Sequence, residues 1–284
     1  MNNRSKGFSI ALALGLFVFA NPLLATMLGV TNGGASGSGE LVSIDLTTGA
    51  GTLIGTLPET MTEGAYDTVN NRLYAQGSNG SFILYEIDPS NGAEISSVAT
   101  TGAYNGMEFV GNTLYATMIL GSGAPSELVT VDPATGVATV IGLTGYGPIS
   151  GLAYSGTMYG MVAGNDADAG SLVTIDMATG VATMVGPTGF DKVGSIEFGN
   201  DGNLYGGLTS NDSSQPNGLI LIDTSTGAGT VVGSTGYSIS GLAESILPSQ
   251  VVPGESIPTL SQWASITLVL LLGLIGFSRH RSRA

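Results

Sequence analysis

The sequence predicts an all-β fold, a five-bladed β-propeller closed by a strand from its C-terminal end. Three observations predict it. First, a unit recurs: "LVTVDPATGVATVIG" and "LVTIDMATGVATMVG" are the most legible copies, and "LVSIDLTTGAGTLIG", "LYEIDPSNGAEISSV" and "LILIDTSTGAGTVVG" are related. Their aspartates, Asp45, Asp88, Asp132, Asp176 and Asp223, lie 43, 44, 44 and 47 residues apart, and a period in the mid-forties built of short strands marks a propeller. Second, the local pattern has period two: Leu172, Thr174 and Asp176 alternate with Val173 and Ile175, which is the spacing of a strand. Third, the strand count leaves one gap. Each unit reads as "GLAYS", "MYGMV", "LVTID" and "VATMV" from the innermost strand outward, but the first unit begins at its second strand, "TMLGV". The missing innermost strand reappears at the end of the array as "ISGLAES", residues 239–245, where it would pair with the first blade and cover its open edge.

The elements follow in order. Residues 1–25, "MNNRSKGFSIALALGLFVFANPLLA", have a basic start, an apolar run from Phe8 to Ala20 and small residues suited to cleavage after Ala20 or Ala25. That is the pattern of a signal peptide. The absence of cysteine does not oppose export, because disulfides mainly rescue domains too small to bury a core. Residues 26–246 form the repeat domain. Residues 247–256, "LPSQVVPGES", read as a Pro/Ser-rich linker.

Residues 257–284 close the chain. Ile257 to Phe277 would span roughly 31 Å as a helix, enough to cross a bilayer core. Arg279, Arg281 and Arg283 follow and would stay cytoplasmic. One reading is a plain single-pass anchor. The order of motif, apolar helix and Arg cluster, however, resembles the bacterial C-terminal sorting signals processed by exosortases, of the IPTL type. Ile257, Pro258, Thr259, Leu260 and Trp263 match that motif, and Ala264 stands where Gly is usual. The resemblance implies a Gram-negative envelope, transient retention at the inner membrane, and processing near the motif by an exosortase-type enzyme. The repeat array in turn resembles the broad YVTN/NHL-like propeller families.

Charge excludes one class of partner. Between Leu24 and Gln262 the only cations are Arg72 and Lys192, against all 21 carboxylates, a net charge of −19. Almost nothing basic is available to neutralise phosphate, so nucleic acid is not a ligand.

Chemistry is narrowed in the same way. The sole histidine is His280, beyond the apolar run, and there is no cysteine. No Ser-His-Asp or Cys-His arrangement can therefore form in the exported domain. Glu108 ("GMEFV") and Glu197 ("SIEFG") occupy equivalent places on two innermost strands and are expected near the channel. Such a pair could act on a glycosidic bond, making a carbohydrate-active hydrolase or lyase the alternative reading. The favoured one is a non-catalytic module for adhesion, matrix association or ligand binding.

The five marker aspartates are expected to form turns, with Asp accepting backbone hydrogen bonds and Gly at positive φ. The longer connections collect Tyr104, Tyr146, Phe190 and Tyr237 near Asp166, Asp168 and Asp212. Aromatic rings beside polar groups suit sugars or peptides, and clustered aspartates suit Ca²⁺, a cation that takes oxygen ligands. No other cofactor is implied.

Overall fold

The computed structural model describes residues 26–33, 38–80, 82–121, 124–163 and 167–244. The expected signal peptide, linker and transmembrane helix, and the sorting motif, lie outside the described residues. The chain divides into two units, residues 1–246 and 247–284. Among the described residues every regular element is a strand.

Five four-stranded antiparallel sheets form the blades. Blade one holds β1 (Thr26–Thr31), β2 (Glu40–Asp45) and β3 (Gly51–Thr56). Blade two holds β4 (Met61–Asp67), β5 (Arg72–Gly77), β6 (Ile83–Ile87) and β7 (Glu94–Ala99). Blade three runs β8 (Tyr104–Val110), β9 (Thr113–Met118), β10 (Glu127–Val131) and β11 (Ala138–Leu143). Blade four runs β12 (Ile149–Tyr154), β13 (Met158–Val162), β14 (Ser171–Ile175) and β15 (Ala182–Pro187). Blade five is β16 (Val193–Phe198), β17 (Leu204–Leu208), β18 (Gly218–Ile222) and β19 (Gly229–Ser234). The last strand, β20 (Ile239–Glu244), is the innermost strand of blade one, where it pairs antiparallel with β1, Met27 opposite Glu244. The inner strands β4, β8, β12, β16 and β20 pack against one another in that cyclic order. The ring is closed as the strand count predicts.

The period-two pattern has a different meaning from that of a half-exposed strand. Each seam between blades has its own apolar core, five in all among the described residues. A middle strand feeds two of them: Leu172 of β14 packs into the seam with blade five, while Val173 and Ile175 pack into the seam with blade three. Alternation therefore sorts side chains between two seams, and both faces are buried.

The outermost strands are more exposed, with Leu53, Val140 and Val231 at 50%, 52% and 43%. Each carries a bulge in its pairing, for example between Leu172 and Val173 on the partner strand β14. A bulge twists an edge away from flat pairing with another chain. The Asp turns of the next blade dock beside it. In each turn the Asp side chain accepts an amide two residues on, as from Ala178 to Asp176 at 2.8 Å. The turn's Gly amide closes on the Asp carbonyl, as from Gly180 to Asp176 at 2.7 Å. Gly180 has φ +80, and a Cβ there would stand 2.6 Å from the Gly142 carbonyl oxygen of blade three. The marker aspartates are thus turn formers that fix how closely blades approach.

Candidate functional site

The axis of the ring is filled by carboxyl groups. Alignment of the five inner strands puts Glu63, Gly106, Gly151, Ser195 and Gly241 at one level, and Ala65, Glu108, Ala153, Glu197 and Ala243 at the next. At the first level one long side chain faces four small ones. Glu63 crosses the axis: its Oε1 accepts the Ser195 hydroxyl of β16 at 2.8 Å and its own strand's Gly64 amide at 2.9 Å. The Ser195 oxygen in turn accepts the Leu242 amide of β20 at 3.0 Å. Glu63 is fully buried, and its Oε2 has no partner. Burial pushes its carboxyl well above the usual range, and the Glu197 charge adds to this against the Gly64 and Ser195 hydrogen bonds.

At the second level Glu108 and Glu197 meet. They are 8% and 3% exposed and close enough that each carboxyl perturbs the other. Burial, then the Glu197 and Glu244 charges, raises Glu108 well above its ordinary value. Burial also pushes Glu197 up to about 8, opposed by the Phe198 amide, which donates to its Oε1 at 2.7 Å. Glycosidases hold their two carboxyls about 5 Å or more apart, with the sugar or a water between. Carboxyls that are 8% and 3% exposed are closed to a sugar arriving from solvent.

Glu63 was not singled out in the sequence, though a signal exists: four inner strands carry Gly or Ser where β4 carries Glu. Glu108 and Glu197 stand on the inner strands where their equivalence placed them.

The aromatic residues sit on the seams. Tyr104 is fully buried, so it offers no ring face to a ligand; this corrects its expected place on a surface. Its hydroxyl lies 3.4 Å from the Gly136 carbonyl. Tyr237 lies against Gly51 and Phe190 against Gly229, the first residues of the next outer strand, where an added Cβ would stand 2.8 and 2.9 Å from the ring. Tyr146 packs on the core between blades three and four. Three of the connections are pinned by a threonine two residues before the aromatic: Thr235, for example, donates to the Asn217 and Tyr237 carbonyls, where its Oγ1 lies at 2.9 and 2.8 Å.

Of the three aspartates expected near a cation, the structure describes two. Asp166 lies outside the described residues. Asp168 is exposed, and its carbonyl accepts the Ser171 amide. Asp212 is 2% exposed and organises the 209–217 loop. Its Oδ1 accepts the Ser214 amide and hydroxyl and the Gln215 amide, and its Oδ2 accepts the Asp191 and Lys192 amides. Although burial acts to raise it, the Gln215 and Ser214 hydrogen bonds hold this carboxyl down at about 2. One oxygen is committed to the loop and the other to the Asp191–Lys192 backbone, which leaves Asp212 poorly suited to a cation.

An open polar groove lies at the seam between the first and last blades. Asn32, Glu40, Ser210, Asn217, Tyr237 and Ser238 line it. The Ser238 hydroxyl donates to Asn32 Oδ1 at 3.0 Å and accepts the Ser210 amide at 3.0 Å. Asn217 holds a left-handed φ of 57, and its buried Oδ1 has no partner.

Fold and tail together define the class: an exported β-propeller with a C-terminal sorting signal. The particular signal is the IPTL-CTERM motif, whose family model matches residues 255–282 and implies processing by an exosortase-type enzyme at the surface or envelope. No curated protein matches the chain. Among solved structures, a chain in the crystal structure of a nidogen/laminin complex is similar in fold. It is 14% identical with a TM-score of 0.50, over 76% of this chain and 84% of that one. A gluconolactonase from Xanthomonas campestris is 14% identical with a TM-score of 0.47, over 76% of this chain and 78% of that one.

Proposed function

We propose that the propeller is a non-catalytic binding module of the envelope or extracellular matrix of a Gram-negative bacterium, held at the inner membrane until its tail is processed. The observation that carries this reading is the closed state of the axial carboxyls. Glu108 and Glu197 are 8% and 3% exposed rather than open to a reacting group, and Glu63 on the neighbouring level is fully buried. The same polypeptide directs its exported domain to the surface, where adhesion or matrix association is the use for a rigid domain without a reaction site.

The test separates binding from turnover. The full chain in detergent is incubated with soluble polysaccharides, and both retained polymer and released reducing or unsaturated ends are measured. Retention without new ends is the expected result. New ends that vanish in Glu108→Gln and Glu197→Gln variants of unchanged fold would make the protein a hydrolase or lyase and overturn the proposal.

A further inference from the structure

We infer that the groove at the closing seam, lined by Asn32, Glu40, Ser210, Asn217, Tyr237 and Ser238, binds a neutral saccharide. The inference rests on the binding-module reading and gives it a place and a ligand class.

Four features of the groove point there. Its lining offers amides, hydroxyls, one carboxylate and one aromatic ring, a mixture of donors and acceptors that matches sugar hydroxyls. The lining contains no cation, so an anionic ligand would meet Glu40 without compensation. The Asn217 Oδ1 is buried beside the groove and makes no hydrogen bond. A buried acceptor without a donor is costly, and turning the Asn217 side chain toward the groove would pair it with a sugar hydroxyl. Finally, the walls are built before any ligand arrives. Asp212 fixes the 209–217 loop to the Asp191–Lys192 backbone, and Thr235 fixes the connection that carries Tyr237. A prepared site loses less entropy on binding.

The groove also differs from the other seams by construction. It forms where β1 and β20, from opposite ends of the domain, meet the loop between β17 and β18. Ser238 of the closing connection bridges Asn32 of blade one and Ser210 of blade five.

The experiment uses the full chain in detergent, titrated with cellohexaose, laminarihexaose, chitohexaose and mannohexaose, with hexameric alginate as the anionic counterpart. At least one neutral hexamer is expected to bind and alginate not to bind. Asn217→Gly removes the amide while keeping the left-handed backbone open, and Asn32→Ala alters an exposed side chain. Each is expected to weaken binding about tenfold, in line with the loss of a hydrogen bond to a ligand, with the urea midpoint measured alongside. Neutral-sugar binding that both variants leave intact would overturn the groove and keep the binding-module reading. Binding of alginate alone, or of a peptide library with no sugar bound, would overturn the ligand class. Release of shorter sugars from a bound hexamer would overturn the binding-module reading itself.

Discussion

At the scale of single residues, the fold depends on glycines that are not interchangeable. Gly180 and Gly156 both have left-handed φ, +80 and +77, but only Gly180 has another blade's backbone against it. Gly156→Ala is expected to cost about 1 kcal/mol, the strain alone. Gly180→Ala is expected to cost about 3 kcal/mol, because Gly142 cannot retreat without parting blades three and four. Urea unfolding of the two variants checks the difference. A second prediction concerns the axial carboxyls, where Glu63, Glu108, Glu197 and Glu244 face one another without a cation. Glu63, Glu108 and Glu197 all have folded pKa values raised above the unfolded value, chiefly by burial. The stability they permit is therefore complete below the ordinary carboxyl range. It declines as pH rises from about 4.5 through the region near 8 where Glu197 titrates. The melting temperature should fall between pH 5 and pH 9, and the double variant Glu108→Gln/Glu197→Gln should fall less. An equal fall in the double variant would place the pH dependence elsewhere.

At the scale of elements, the closing strand matters more than the outer ones. Leu242 of β20 is 1% exposed in the core between blades five and one, whereas Val231 of β19 is 43% exposed. Leu242→Ala should cost about 2–5 kcal/mol, as large-to-small changes in a core do, and Val231→Ala less than about 1 kcal/mol. Equal costs would mean that closure contributes little. The strands themselves were legible in the sequence because each copy repeats the same four-strand rhythm and each turn announces itself with Asp and Gly. Their two-sided burial was not legible: Leu172 and Val173 look like opposite faces of one half-exposed strand until the neighbouring blades are in place. Tyr104 was misplaced for a related reason. A tyrosine at the start of an inner strand is the same in sequence whether its ring faces solvent or the next blade.

At the scale of the whole molecule, the number of blades and the closure could be counted from the repeats. The groove could not, since its lining comes from residues as far apart as Asn32 and Ser238, which touch only after closure. The tail makes its own prediction. The intact mass of the protein recovered from its own cells is expected to end near Pro258, or to carry an added group there, as processing at the IPTL motif requires. A chain still ending at Ala284 would make the tail a permanent anchor.

The pairing of Met27 with Glu244 also sets an order of events. If the chain is exported from its N-terminal end, β1 reaches the far side of the membrane first and waits with one edge unpaired while four blades follow. Its partner is the last of the described strands to arrive, just ahead of the linker and the sorting signal. The ring can therefore be sealed only after all the other blades have crossed, and until then β1 is the strand most exposed to mispairing. Delaying the release of the tail would give that last strand time to find its place.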